Sequence, residues 1–293
     1  MGSLPQSFFS TIAYWTCAHT HISSFQWLPG ITFASSPVFL LSITLTYLLV
    51  TLCLSFSLSN RRSPVPLGPF PVIHNLVLFT SSLLMFVGCT MATLSEMGTL
   101  PSTTMPSTPP SSSSTSPTPL SWQLVFCFPP GTRASGPVFF WSYVFYLSKF
   151  YEFLDTFIMV LKRRPLTFLH VFHHAIVVIM SFFWLQYVQS LQIIALLTNT
   201  SVHMLMYSYY LLCSLGIKPF WKKLVTNCQI VQFVFSFMVS FVMLYLHFRG
   251  DGCEGISAWT FNAFFNASLL VLFVNFHHKQ YRERRMEQQK KSI

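Results

Sequence analysis

Residues 169–178, LHVFHHAIVV, place three histidines in a segment that is otherwise apolar enough to lie in lipid. On a helix with 3.6 residues per turn, His170, His173 and His174 fall within an arc of about 100°, so they point in one direction. Ionisable residues within membrane helices are rare and mark functional sites by default. The segment therefore predicts a helix that turns a histidine face towards a protein interior.

The composition of the whole chain predicts a membrane protein. Apolar residues make up 52% of it and charged residues 8%, against about 25% charged residues in a soluble domain. A bilayer core needs helices of about 20 apolar residues. We predict an all-α integral membrane fold of one domain, with seven spans at residues 37–58, 70–94, 136–160, 168–188, 191–215, 224–248 and 256–276.

The positions of the cations predict the orientation of these spans, because lysine and arginine in short loops stay on the cytoplasmic side. Fourteen fall on one side, at Arg61, Arg62, Lys162, Arg163, Arg164, Lys218, Lys222, Lys223, Lys279, Arg282, Arg284, Arg285, Lys290 and Lys291. Arg133 and Arg249 fall on the other. We therefore expect residues 1–36 to be a luminal segment and 277–293 a cytosolic basic tail. The net charge of +10 reflects this topology rather than nucleic-acid binding.

The predicted luminal loop, residues 95–135, contains a stretch rich in serine, threonine and proline at 99–120, which is typical of unstructured chain.

The seven cysteines have no metal-like spacing. Cys127 and Cys253 both fall in predicted luminal loops, where an oxidising compartment would allow a disulfide. No internal repeat indicates a transporter built of inverted halves.

Four successive predicted spans carry a narrow polar stripe. The stripes comprise Lys149, Glu152, Asp155 and Thr156; then His170, His173 and His174; then Asn199, His203, Met206, Tyr207 and Tyr210; then Thr226, Gln229, Gln232 and Phe233. Each stripe occupies an arc of about 100–120°. Hiding all four from lipid requires that they face a common interior. Interhelical hydrogen bonding alone would account for some of these polar residues, but not readily for four clustered histidines.

Four histidines are compatible with two kinds of chemistry. Imidazole binds iron or zinc, and HxxHH is one of the boxes of membrane di-iron oxygenases, but the other histidines form no second box here. Neutral imidazole can instead attack a thioester and carry an acyl group, in a site that excludes water. We expect the second chemistry, with no metal and no cofactor. A seven-span lipid transporter or receptor that uses the stripes as a path is the alternative from another class.

Four consecutive blocks resemble the ELO family of very-long-chain fatty-acid elongases. They are KFYEFLDT at 149–156, HVFHHA at 170–175, NTSVHMLMYSYY at 199–210 and TNCQIVQF at 226–233. The lead-in to the first span, FQWLPGITFASSPVFL at 25–40, is similar to plant members. The resemblance implies that six of the seven helices enclose an acyl tunnel. It also implies a 3-oxoacyl-CoA synthase, which joins acyl-CoA with malonyl-CoA and releases CO₂ and CoA.

The family's scheme implies roles for the stripe residues. His173 would be the nucleophile that forms an acyl-imidazole, opposite His203, while His170 and His174 orient it or shuttle protons. The other residues with implied catalytic roles are Lys149, Glu152 and Asp155. Those expected to bind substrate are Asn199, Tyr207, Tyr210, Gln229 and Gln232, and for the CoA phosphates Lys162, Arg163, Arg164 and Lys222.

The chain ends in KKSI, and Lys290 and Lys291 resemble a dilysine signal for retrieval to the endoplasmic reticulum. The predicted topology puts this tail in the cytosol, where such a signal is read. We therefore expect a multi-pass protein of the endoplasmic reticulum membrane. Its expected partners are the 3-oxoacyl-CoA reductase, the dehydratase and the enoyl-CoA reductase of the elongation cycle.

Overall fold

The computed structural model describes residues 4–61, 63–98 and 121–291, and side chains within 9–61, 63–98 and 122–279. In these ranges the regular structure is helical, apart from one antiparallel bridge between Gln26 and Ser135. The predicted all-α class is confirmed for this part of the chain. The predicted unstructured stretch at 99–120 lies outside it.

The helices are α1 (Leu4–Ala13), α2 (Thr20–Ser23), α3 (Pro37–Ser57), α4 (Phe70–Glu96), α5 (Pro137–Leu161), α6 (Phe168–Gln186), α7 (Gln192–Ser214), α8 (Lys222–Arg249) and α9 (Ile256–Lys291). A π-helical turn lies at Tyr14–Ala18 and a 3-10 turn at Ser121–Val125. Proline occupies one of the first two positions of α3, α4 and α5, where its missing N–H is not needed and its fixed φ favours the helix. These prolines define the N-termini of the three helices.

The helices begin and end within two residues of the predicted spans, except at the end of α9. There the helix continues to Lys291, well beyond residue 276. Residues 277–291 consist largely of Glu, Gln, Lys, Arg and other good helix formers, so the helix continues beyond the end of the apolar segment. Lys290 and Lys291 lie in the last turn, and their side chains are outside the described ones.

Five of the described helices are long and apolar enough to cross a bilayer: Pro37–Ser57, Phe70–Glu96, Phe168–Gln186, Lys222–Arg249 and the part of α9 at Ile256–Lys279. The chain is thus a multi-pass membrane protein. The two other long helices, α5 with 25 residues and α7 with 23, carry polar stripes.

Six long helices pack in a definite order of neighbours. Helix α4 packs against α5 and α7, α5 against α6, α6 against α9, α9 against α8, and α8 against α7. Helix α3 packs on the outside of α5 and α6. The loops after α3, α5 and α7 carry Arg61, Lys162 and Lys218, and we call this side of the bundle the basic end.

The opposite side, which we call the disulfide end, holds a disulfide between Cys127 and Cys253, whose Cα atoms are 5.1 Å apart. The bond joins the segment before α5 to the α8–α9 loop. Ser190 reinforces the link, since its hydroxyl accepts a hydrogen bond from Phe128 N at 3.0 Å and donates to Glu254 O at 2.7 Å. Three chain segments are thereby fixed at this end.

The segment before α3 packs on the bundle through aromatic side chains of α5. The Trp141 indole donates to Thr16 O at 2.9 Å, and the buried Tyr146 hydroxyl donates to Ala34 O, also at 2.9 Å. Trp27 is buried against Tyr146 and Phe182. The described part of residues 1–36 therefore forms an ordered layer.

Removing the disulfide should destabilise the bundle. We expect Cys127→Ser to lower the free energy of unfolding by about 2–4 kcal/mol, because the bond closes a long loop of chain. Thermal unfolding in detergent measures this, with Cys53→Ser at an exposed free cysteine as the control. A non-reduced peptide map should show the Cys127–Cys253 linkage. Alkylation of both thiols without reductant would contradict the assignment.

Candidate active site

The histidine face of α6 lies near the basic end. The Thr167 side chain caps the helix by accepting a hydrogen bond from His170 N at 3.3 Å. The His170 and His174 rings lie 4.5 Å apart, and the His173 and His174 rings meet edge to face at 5.3 Å. His174 is buried, whereas His170 and His173 are half-buried. The predicted histidine face is therefore present and turned inwards.

A chain of hydroxyl groups fixes His170. Its Nε2 shares a hydrogen bond of 3.0 Å with Thr156 Oγ1 of α5, and Thr156 shares another of 3.0 Å with the Tyr47 hydroxyl of α3. Tyr47 is buried and stacks on Phe153 at 4.1 Å. These contacts tie α3, α5 and α6 together and set the rotation of the histidine face.

A lysine–glutamate pair occupies the interior beside the histidines. Lys149 Nζ donates to Glu152 Oε1 at 2.7 Å, and both side chains are 2% exposed. Nζ also lies 3.9 Å from the centre of the Phe145 ring and 3.4 Å from Asn199 Oδ1 of α7. Because a buried cation is costly without such partners, this arrangement holds α5 and α7 in register.

His203 of α7 approaches the same carboxylate. Its Nδ1 lies 3.6 Å from Glu152 Oε1, so Glu152 stands between Lys149 and His203. The second carboxylate oxygen, Oε2, is buried without a hydrogen-bond partner among the described residues. Glu152 therefore retains capacity to accept one further proton or hydrogen bond.

Asp155 organises a second cluster, one turn closer to the basic end. Its two carboxylate oxygens receive His74 Nε2 at 2.9 Å and the Tyr207 hydroxyl at 2.8 Å. His74 and Tyr207 are each 1% exposed. The cluster thus joins α4, α5 and α7.

Sequence reasoning misses His74. As a histidine outside HxxHH it belongs to no second metal box, and the sequence pattern assigns it no other role. The signal that would find it is simpler: an ionisable residue inside an apolar span needs a partner, and Asp155 is one of the few carboxylates within the spans.

A cavity opens beside the histidine face; we call it the near cavity. Polar residues from five helices line it: Lys149 of α5, His173 of α6, Thr198 and Asn199 of α7, Gln232 and Ser236 of α8, and Asn262 and Asn266 of α9. Met180, Phe233 and Leu269 supply apolar wall. His173 is the histidine of α6 that lines this space, so it is the one placed to meet a bound molecule.

Three predicted substrate residues take other positions. Tyr207 donates to Asp155, Tyr210 is 40% exposed and packs on Tyr207 and Tyr209, and Gln229 Nε2 contacts Met206 Sδ at 3.4 Å. None of them is part of the near-cavity wall. The contacts of Tyr207 and Gln229 join two helices, whereas those of Tyr210 lie within α7.

The predicted phosphate-binding cations lie at the basic end. Arg163 is exposed but donates to Leu58 O at 2.6 Å and Ser59 O at 3.3 Å, so it caps the end of α3. Partial burial, together with the neighbouring Arg164 cation, lowers the pKa of Lys162. Arg164 and Lys222 are exposed. The last two are therefore the cations best placed to meet a ligand from solvent.

Among the described residues, no group of three or more histidine, cysteine, aspartate or glutamate side chains is arranged to hold a metal ion. His170, His173 and His174 contact one another by their rings, and the nearest carboxylates pair with Lys149 and His74. The arrangement favours acid–base and nucleophilic chemistry.

Comparison with known proteins agrees with the family resemblance of the four sequence blocks. Residues 32–289 match the model of a family described as ELO, the GNS1/SUR4 family. The chain is 35% identical over 272 residues to fatty acid elongase 3-like of Arabidopsis thaliana, which covers 92% of this chain and 91% of that protein. It is 33% identical over 282 residues to fatty acid elongase sre1 of Dictyostelium discoideum, covering 92% and 93%. Fatty acid elongase A of the same organism is 33% identical over 270 residues, covering 90% of each chain.

The Asp155 cluster should stabilise the bundle. We expect Tyr207→Phe to lower the free energy of unfolding by about 1–3 kcal/mol, because a buried carboxylate oxygen loses its donor. Thermal unfolding in detergent measures the change. Tyr245→Phe is the matched control, since that side chain is 60% exposed, and it should shift stability by less than about 0.5 kcal/mol. Equal shifts for the two variants would refute the role of the cluster.

Proposed function

The chain belongs to the ELO, or GNS1/SUR4, family of fatty acid elongases, and from this premise we propose that it is the condensing enzyme of elongation. It joins a long-chain acyl-CoA with malonyl-CoA to give a 3-oxoacyl-CoA two carbons longer, CO₂ and CoA. The observation that carries the proposal is the position of His173, a half-buried imidazole in the wall of an internal cavity, next to a buried Lys149–Glu152 pair.

The first half-reaction forms an acyl-imidazole. The free lone pair of His173 attacks the thioester carbonyl carbon, the C–S bond breaks, and CoA leaves with the proton of the other ring nitrogen. Acyl-imidazoles hydrolyse readily, and a cavity enclosed by apolar helices limits the access of water. Asn199 and Gln232 line the same cavity and supply amide donors for the developing oxyanion.

The second half-reaction makes the carbon–carbon bond. Malonyl-CoA loses CO₂, and the electrons of the broken bond form an enolate without the help of a strong base. The enolate attacks the acyl carbon, the bond to His173 breaks, and its electrons return to the ring nitrogen. The ring then takes up one proton from solvent, which restores the neutral imidazole. No metal or other cofactor enters this scheme.

The remaining polar residues position the nucleophile and move protons. His174 packs against both His170 and His173, so it can pass a proton between them. Thr156 orients His170. Lys149 keeps a positive charge beside the cavity, and Glu152 couples it to His203, while Asp155 holds α4 and α7 in place through His74 and Tyr207.

We further propose that seven helices, α3 to α9, span the membrane. At 1.5 Å per residue, α5 and α7 are each long enough for a bilayer core of about 30 Å. Most of the residues in their polar stripes are buried: Lys149, Glu152 and Thr156 on α5, and His203 and Tyr207 on α7. The neighbour order α4, α5, α6, α9, α8, α7 returns to α4. These six helices would form a barrel around the acyl tunnel, with α3 outside.

The proposed orientation has a luminal amino terminus, a cytosolic carboxyl terminus and the basic end in the cytosol, where acyl-CoA and malonyl-CoA are found. The CoA phosphates would meet Arg164 and Lys222, with Lys162 nearby and Arg163 engaged in capping α3. We place the protein in the endoplasmic reticulum membrane, retrieved by Lys290 and Lys291. Its 3-oxoacyl-CoA product would pass to the reductases and the dehydratase of the cycle.

Acylation of His173 tests the mechanism directly. Incubation of the purified protein with acyl-CoA alone should add one acyl group to His173, because the first half-reaction needs no malonyl-CoA. Peptide mass spectrometry locates the adduct, which should be absent in His173→Ala. His278→Ala, at an exposed histidine on α9, is the matched control and should retain the adduct. An acyl group on a cysteine instead would overturn the scheme.

A further inference from the structure

The near cavity does not end in a purely apolar pocket. A second cavity lies towards the disulfide end between α7, α8 and α9; we call it the far cavity. The two cavities share wall residues from all three helices, including Thr198, Ser236 and Asn262. The two cavities are therefore neighbours with part of their walls in common.

Polar side chains are concentrated in the wall of the far cavity. Several satisfy one another: Asn266 Nδ2 donates to Ser236 Oγ at 3.0 Å, and Trp259 Nε1 donates to Ser240 Oγ at 3.0 Å. These contacts hold α8 and α9 together. They also leave a polar surface where an acyl tunnel would be expected to present methyl groups.

Three atoms around the two cavities have no hydrogen-bond partner within the described part of the chain. They are Asn262 Oδ1, Gln189 Oε1 and Trp184 Nε1, in side chains that are 5%, 1% and 4% exposed. Asn262 lines both cavities, Gln189 the far one and Trp184 the near one. Buried polar groups without partners are unusual and destabilising, so each needs a polar partner, either water or a ligand.

The unpartnered atoms include both acceptors and a donor. The amide oxygens of Asn262 and Gln189 accept hydrogen bonds, whereas the indole of Trp184 can only donate. A hydroxyl group does both, so it can satisfy atoms of each kind. A hydrocarbon chain can satisfy neither.

The group they would recognise lies far from the reacting carbon. Trp184 is about 16 Å from His173 along the axis of α6, which is three turns of helix. We propose that the far cavity binds the distal part of an oxygenated acyl chain, so that the substrate class of this enzyme includes acyl-CoAs with a hydroxyl group remote from the thioester. This inference rests on the proposed condensation activity.

Matched substrates test the proposed binding of a hydroxylated acyl chain on the unaltered protein. Oleoyl-CoA and ricinoleoyl-CoA differ by one mid-chain hydroxyl, and stearoyl-CoA and ω-hydroxystearoyl-CoA differ by one at the chain end. With malonyl-CoA present, we expect kcat/KM to be about three- to tenfold higher for at least one hydroxylated member than for its partner, the effect of one buried hydrogen bond. The readout is the 3-oxoacyl-CoA formed.

Two variants distinguish a specific effect of the proposed site on substrate preference from a general effect on folding. Asn262→Leu removes the unpartnered amide and should abolish the preference for the hydroxylated chain. Gln192→Leu is the matched control, because Gln192 is also a fully buried amide without a partner among the described residues but is not part of either cavity wall. It should leave the preference unchanged.

The outcomes are distinct. If the plain acyl-CoAs are elongated as fast as both hydroxylated ones, the far cavity holds ordered water only and the inference is wrong, while the proposed function stands. If the preference survives Asn262→Leu, the assigned site is wrong. If no acyl-CoA is elongated, the proposed function fails, and the inference fails with it.

Discussion

The burial of Lys149 and Glu152 among apolar helices is the constraint on which the rest of the structure depends. Neither charge can face lipid, and each is tolerable inside only because the other lies 2.7 Å away. The pair fixes the rotation of α5, and through Asn199 and His203 it fixes α7 as well. Once these two helices face inwards, the Asp155 cluster and the Thr156–His170 contact follow from the same rotation.

The same constraint explains how a reactive imidazole is kept in a membrane protein. Polar side chains that must avoid lipid converge on a cavity, whose wall also includes apolar residues such as Phe233 and Leu269. His173 lies at the boundary, half-buried and open to the cavity. This geometry is compatible with the family's role in fatty acid elongation and with the proposed role of His173 as nucleophile.

Much of this arrangement could be predicted from the sequence. Hydropathy gave the starts of the long helices, and helical periodicity identified the inward stripes of α5, α6 and α7. Hydropathy and periodicity could not predict the contacts that depend on which helices become neighbours. The pairing of His74 with Asp155, the capping of α3 by Arg163 and the polar wall around Asn262 all join segments distant in sequence. The extension of α9 to Lys291 was missed for another reason. Hydropathy predicts where the membrane-spanning segment ends, but the helix can continue beyond that point.

A double-mutant cycle on the buried pair tests the central claim most directly. Lys149→Met and Glu152→Leu should each lower the free energy of unfolding by about 3–5 kcal/mol, because each leaves an uncompensated buried charge. The double variant should lose much less than the sum of the two, since it leaves no buried charge behind. Single variants as stable as the unaltered protein, with additive effects, would show that these charges are solvated and would contradict the claim that the pair fixes the rotation of α5 and α7.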